Sequence, residues 1–211
     1  MSNPKTFIVE HLDPELGPWS ELEYTAIARE TGAAGSKFML SSLPTELKAR
    51  LPAKLTAEPA FVGETRGVEE IYGGSEKERG RVCLLDPKAG SDLGPEDGER
   101  FDVFLFGGIL GDDPPRDRTS ELRAKGFEGR RLGPVQMTTD TAVRVTRMVV
   151  QEKYTLETIP YLDHPDLKIN EHESTEMPFR YVKGEDGMPV MPEGMLNLIK
   201  KDADKSIDDL F

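Results

Sequence analysis

Short apolar runs alternate with stretches of helical spacing along this chain. Residues 6–10 (TFIVE) read as a strand, and Pro14, Gly17 and Pro18 turn the chain after it. Residues 19–30 place Leu22, Ala26 and Ile27 on one helical stripe. Gly32 to Gly35 end that helix, and residues 37–40 (KFML) give a second strand. A helix opening at Leu43-Pro44-Thr45-Glu46 stops before Pro52, because proline disfavours helix in the residue ahead of it. This order is the signature of an α/β fold, a parallel sheet with helices on both faces. Residues 53–80 carry weak periodicity, with one short helix around residues 68–72. Residues 82–85 and 103–106 are continuous apolar runs, as strands covered on both faces require. Residues 86–100, rich in Gly, Pro and Asp, read as a surface loop.

Further on, Thr119-Ser120-Glu121-Leu122 opens a helix that Gly126 closes. Val135 is the expected centre of the next short strand. Thr138-Thr139-Asp140 caps a helix with Ala142, Val145, Met148 and Val149 on one face, leaving Arg144 and Arg147 elsewhere on its surface. Residues 158–162 form one more strand, which Pro160 confines to an end or edge. Beyond Asp163 the chain is polar and proline-rich, with a final short helix over residues 195–201 and a frayed charged end. Residues 1–182 are expected to form one domain and residues 183–211 a partly irregular C-terminal extension.

Candidate chemistry gathers at two glycine breaks. The run Val103-Phe104-Leu105-Phe106 passes abruptly into Gly107-Gly108-Ile109-Leu110-Gly111, and Asp112-Asp113 follow. Arg131-Leu132-Gly133-Pro134 repeats the apolar-to-glycine change about one βα unit later. Two strands that each end in a glycine loop point to a ligand pocket at the carboxyl edge of a parallel sheet. Glycine lets backbone approach a ligand closely or take φ > 0. A P-loop would continue with Lys and Ser or Thr; two aspartates suit instead a ligand whose reacting centre is cationic or neutral. Successive side chains of an extended chain point opposite ways, so one of Asp112 and Asp113 can meet a cation while the other caps the turn. An ordinary solvated acidic turn is the plain alternative. At the second loop, the backbone N–H groups at the start of the Thr139 helix are expected to be open donors.

Charge narrows the partners. The 211 residues carry 27 basic and 39 acidic side chains, a net charge of -12, which repels phosphate backbones and suits a basic protein partner or solubility alone. The one cysteine, Cys83, lies in an apolar run and is expected to be a buried thiol in a reducing compartment. No stretch approaches the roughly 20 apolar residues that span a membrane. The start lacks the basic-then-apolar pattern of a secretory signal, so a cytoplasmic location is expected. His11, His164 and His172 match no zinc spacing, and no metal is expected. Glu171, Glu173 and Glu176 read as an acidic surface fit for an arginine or lysine side chain. No serine-histidine-acid set and no nucleophile elbow stands out.

These motifs resemble the SPOUT methyltransferases, and within them the monomeric fungal protein arginine methyltransferases. The resemblance lies in Phe7-Ile8-Val9-Glu10-His11-Leu12 through Leu22-Glu23-Tyr24, in Phe106 to Asp112, in Leu132-Gly133-Pro134-Val135-Gln136-Met137-Thr138-Thr139-Asp140-Thr141-Ala142, and in Ile159 to Asp163 with Asn170-Glu171. It covers nearly the whole chain, least firmly over residues 53–80. It implies a deep C-terminal trefoil knot, S-adenosylmethionine as cofactor and an arginine of a small-subunit ribosomal protein as substrate. It implies cofactor contacts from Leu105, Phe106, Gly107, Gly108, Ile109, Leu110, Gly111, Leu132, Gly133, Met137, Thr138 and Thr139. Asp112, then Asp113, is the expected orienting carboxylate, with Glu10, Glu171 and Glu173 in the substrate cleft. RNA-modifying members carry an arginine between strand and helix of the second loop, where this chain has Met137-Thr138. An RNA methyltransferase and a non-catalytic S-adenosylmethionine-binding protein are the alternatives.

Overall fold

The computed structural model describes residues 3–107, 119–169 and 174–208. In chain order the elements are β1 (Thr6–Glu10), α1 (Pro18–Ala33), β2 (Lys37–Ser41), α2 (Thr45–Lys48), α3 (Ala53–Thr56), β3 (Phe61–Gly63), α4 (Val68–Tyr72), α5 (Glu76–Arg79), β4 (Val82–Leu85), α6 (Asp97–Arg100), β5 (Val103–Phe106), α7 (Thr119–Ala124), β6 (Glu128–Arg130), α8 (Thr139–Glu152), β7 (Tyr161–Asp163), β8 (Asp166–Lys168), β9 (Ser174–Glu176), β10 (Arg180–Val182) and α9 (Met195–Asp208). The first six strands form one parallel sheet in the order β3-β2-β1-β5-β4-β6. β7 pairs with β10, and β8 with β9, as antiparallel two-stranded ribbons.

Strand alternation sorts the core into two layers. Phe7, Val9, Cys83, Leu85, Phe104 and Phe106 pack with Tyr24, Ile27 and Ala28 of α1 and Val145 and Val149 of α8. Ile8, Val82, Leu84, Val103 and Leu105 point the other way, onto Val68 of α4, Leu122 of α7 and Phe127. Burying each such Phe, Leu, Ile or Val contributes about 1.5–3 kcal/mol, and covering both sheet faces explains why β4 and β5 are apolar throughout. Phe7 and Phe104 stack at 5.9 Å between ring centroids. A third cluster unites Met195 and Ile199 of α9 with Leu167, Met177 and Tyr181, and Trp19 and Leu22 of α1 pack against it. Burial places the Cys83 thiol deep in the core and pushes its pKa up.

Several expectations are corrected. Residues 86–100 contain α6 and two buried aspartates. Asp86 takes Arg123 of α7 in a two-pronged pair (Nε 2.5 Å, Nη2 2.8 Å), and Asp97 accepts Arg130 Nε at 3.1 Å. Aspartates that read as loop polarity are tertiary anchors. Alone, burial would raise the Asp86 carboxyl, but hydrogen bonds from Arg123, the Lys88 N–H and Thr119 outweigh it and hold the pKa below the usual range. The strand assigned to Val135 lies earlier, at β6, where edge position removes the apolar signal. Arg144 is buried rather than on the surface, paired with Glu30 and Asp140. The strand near Pro160 starts after it, and the last helix runs to Asp208. β8, β9 and β10 span three residues each and leave no periodicity to read.

The contact between α6 and α8 leaves no room for a side chain at Gly98. A Cβ there would sit 2.3 Å from the Val150 carbonyl oxygen, which is backbone and cannot swing away. Gly98→Ala is expected to lower stability by about 1–3 kcal/mol, the usual range for overpacking, read from denaturant unfolding of the two proteins. An unchanged midpoint would show that α6 is not seated on α8.

Candidate functional site

Parallel pairing brings four strand ends to one edge of the sheet. Gly107 follows β5, Asp86 follows β4, Arg131 follows β6, and Glu10 closes β1. Both glycine breaks therefore open on the same edge, with β4 between their strands. Leu105 and Phe106 are buried on opposite faces of β5, Leu105 toward α7 and Phe106 toward α1 and α8. Gly107 is buried. Gly108, Ile109, Leu110, Gly111, Asp112 and Asp113 lie outside the described residues, as do Glu171 and Glu173. Glu10 is buried and accepts Ser42 Oγ at 2.7 Å.

The second loop is built by contacts at each of its turns. The Arg131 N–H donates to Ser91 O at 3.0 Å, and the Leu93 N–H donates back to Arg131 O at 2.9 Å. Gly133 takes φ 88°, a left-handed conformation that a side chain would strain. Leu132 and Met137 pack, partly buried, against the larger core cluster. The Arg180 N–H donates to Gln136 O at 2.8 Å, and Met137 bridges to Arg180 in parallel sense. The Arg180 guanidinium grips Asp163 with two prongs, Nε at 2.5 Å and Nη2 at 2.7 Å, and lies 4.4 Å from the Tyr161 ring centroid. That grip, ahead of any opposing burial, lowers the Asp163 pKa. β10 thus fixes the loop.

The loop runs into α8 at a buried polar hub. Thr138 and Thr139 are both buried. Thr138 Oγ1 donates to Asp140 Oδ1 at 2.7 Å and contacts Thr141 Oγ1 at 2.8 Å, so it does not cap backbone. Glu23, reaching across from α1, accepts the Thr139 N–H through Oε1 at 3.1 Å. The expectation of open backbone donors here is corrected at Thr139, whose N–H is taken by a carboxyl remote in sequence. Burial pushes the Glu23 pKa well up, and the neighbouring charge of Asp140 adds to the rise. Tyr181, packed beside them, is raised by burial and then by Asp140 and Glu23. Arg144 ties the hub to Glu30 and, at 3.4 Å, to Asp140 Oδ2.

Sequence reasoning missed Glu23, Asp140, Arg144 and Arg180 as parts of this site. One signal was present: Glu23 sits four residues before Ile27 and beside Tyr24, on the buried stripe of α1. A carboxyl on such a stripe must find donors or stay neutral. The signal for Arg180 lies only in three-dimensional proximity.

The chain matches the family model described as "Protein arginine N-methyltransferase SFM1-like" over residues 6–206. It is similar to the protein arginine N-methyltransferase SFM1 of Saccharomyces cerevisiae, with 46% identity over 212 residues that cover 97% of this chain and 99% of the yeast protein. Its fold superposes on a crystal structure of the yeast arginine methyltransferase SFM1 complexed with SAM at a TM-score of 0.84, with 45% identity, covering 95% of this chain and 92% of the other. It also matches Trm10 from Thermococcus kodakaraensis at a TM-score of 0.50 and 17% identity, over 73% of this chain and 95% of that one. This last likeness concerns the fold alone.

The raised pKa of Glu23 has a consequence for stability. In the unfolded chain Glu23 ionises near its ordinary value of 4.5, whereas in the fold it keeps its proton to much higher pH. The stability it supplies is complete below pH 4.5 and is lost as pH rises toward the folded pKa. Glu23→Gln keeps an acceptor for the Thr139 N–H without that loss. Its thermal midpoint should exceed the parent's at pH 8 and converge on it near pH 4.5. A midpoint below the parent's at pH 8 would show that Glu23 is held ionised.

Proposed function

The chain belongs to the SFM1-like family of protein arginine N-methyltransferases, and from that premise we propose that it methylates an arginine of a small-subunit ribosomal protein, using S-adenosylmethionine. The α/β architecture is that of the SPOUT methyltransferases; the trefoil knot belongs to the proposal. So do a single-chain working form and a cytoplasmic location. No helix among the described residues is long and apolar enough to cross a membrane.

The observation that carries this reading is the prebuilt second loop, which follows β6 at the sheet edge where β5 also ends. Gly133 at positive φ keeps the backbone close to the sheet edge, and Leu132 and Met137 present apolar faces partly open to contact. These are groups that can hold an adenine ring and its ribose through backbone and dispersion. In this proposal Leu105, Phe106, Gly107, Gly108, Ile109, Leu110 and Gly111 supply further cofactor contacts, together with Thr138 and Thr139. When bound, the cofactor supplies a methyl group on an electron-poor sulfur.

The chain's own residues supply positioning. An arginine guanidinium is a weak nucleophile while its charge is fully delocalised, and it holds its proton far above neutral pH. A carboxylate that takes its N–H groups fixes one nitrogen in place and accepts the surplus proton. Asp112 has that role in this proposal, Asp113 is second to it, and Glu10, Glu171 and Glu173 line the cleft. The net charge of -12 supports a basic protein as substrate over RNA.

Purified small ribosomal subunits incubated with methyl-labelled S-adenosylmethionine test the reading. Label is expected in one protein, released on hydrolysis as methylarginine; label in RNA, or in nothing, would overturn it. Asp112→Asn is expected to lower kcat by about 10²-fold or more, the low end of general-base contributions. Its cofactor Kd, measured by calorimetry, should stay within about twofold, since a lost proton acceptor leaves the cofactor's own contacts in place.

A further inference from the structure

We propose that Arg180 is a cofactor-binding residue: its guanidinium, through Nη1, pairs with the α-carboxylate of S-adenosylmethionine beside Gly133. This rests on the arginine-methyltransferase reading. Backbone and apolar groups of the second loop suit the adenosine end of the cofactor. Its amino-acid end carries the molecule's one carboxylate, and a carboxylate drawn out of water needs a charged or hydrogen-bonding partner. The chain is acidic overall, so a cation at this loop has to be built in.

The contacts of Arg180 fix both its place and its direction. Its N–H donates to Gln136 O at 2.8 Å, so its backbone is tied to the second loop. Its cross-strand partner on β7 is Asp163, which takes Nε at 2.5 Å and Nη2 at 2.7 Å. Tyr161 covers one face of the guanidinium, whose carbon lies 4.4 Å from the ring centroid. Nη1 is the nitrogen left over. Among the described residues it has no hydrogen-bond partner, and it is not buried. The side chain is 18% exposed, so a ligand can reach it. The backbone it faces is Gly133: a Cβ there would lie 4.0 Å from Nη1, the nearest group to that point outside the adjoining residues. The space in front of the Gly133 bend is open, and a charged donor looks onto it.

A guanidinium has five N–H donors and stays charged at any working pH. Clamped by Asp163 along one edge, it keeps donors for a second carboxylate. It also has little freedom left to lose in taking one, which favours binding. Asp163 and Tyr161 of β7 thus act as a mount for a fork carried by β10. A pin between the two strands would need only the Asp163 edge. The uncovered nitrogen above a glycine bend is the arrangement that a carboxylate ligand requires, since hydrogen bonds between charged groups are the strong ones.

Calorimetry with two ligands tests this. S-adenosylhomocysteine, the demethylated product, keeps the carboxylate; methylthioadenosine keeps the adenosine and the thioether but lacks the amino-acid arm. Arg180→Gln removes the charge and leaves the backbone N–H on Gln136, while Asp163, 43% exposed, stays hydrated without its partner. The variant's Kd for S-adenosylhomocysteine should rise about 10-fold or more, the worth of a hydrogen bond to a charged group, and its Kd for methylthioadenosine should stay within about twofold. Arg180→Lys puts one ammonium where the fork stood, so it cannot serve both carboxylates as well and should lose part of the same discrimination. A loss shared equally by the two ligands would overturn the inference, making Arg180 a pin for the shape of the loop. No loss with either ligand would overturn it too and leave the methyltransferase reading intact. A parent protein that binds neither ligand and labels no ribosomal protein would sink the underlying reading instead.

Discussion

The hydrogen bond from the Thr139 N–H to Glu23 joins the two halves of this molecule at the point where its second glycine loop becomes a helix. It spans 116 residues of sequence, from α1 to the start of α8, and both partners are buried. A helix start needs acceptors for its first N–H groups, and here one is supplied by a carboxyl that burial keeps protonated rather than by the local threonine. With water excluded, the bond is strong and its loss would leave two buried groups unpaired. Arg144, Asp140 and Glu30 extend the same hub, so the loop before α8 hangs from a fixed point.

From that point the loop's shape follows. β10 holds it through the Arg180 N–H and Gln136 O, the larger core cluster holds it through Leu132 and Met137, and Gly133 takes a bend that a side chain would strain. Preorganisation of this kind removes the ordering cost from ligand binding. The other side of the sheet edge is built by a different device. There Glu10 accepts Ser42 Oγ. Each of these two buried carboxyls, Glu10 and Glu23, keeps one oxygen without a hydrogen-bond partner, and Glu23, pushed toward its neutral form by burial, supports structure.

The acidic balance of the chain enters at a third level. Several of the anchoring pairs place an acid in the interior and an arginine at its rim, as at Asp86 with Arg123 and Asp97 with Arg130. Arginine suits these sites because its planar fork meets both carboxylate oxygens. Arg123 and Arg130 are thereby drawn into framework roles.

The sequence alone determined the alternation of strands and helices, the apolar cores of β4 and β5, the two glycine breaks and their shared sheet edge. Each is a local matter: side-chain periodicity, strand hydrophobicity and the conformational freedom of glycine act within a few residues. It also put Glu10 at the end of β1. Only the tertiary structure decided that Glu10 keeps an oxygen unpaired, that Glu23 seats α8, that Arg144 is buried and that residues 86–100 carry anchors. Those outcomes depend on groups tens of residues apart meeting where water is excluded, and the worth of a polar group in such a place is set by its partners. The short strands β8 to β10 were illegible for a related reason, since three residues are too few to show a period and their pairing comes from contacts between remote segments.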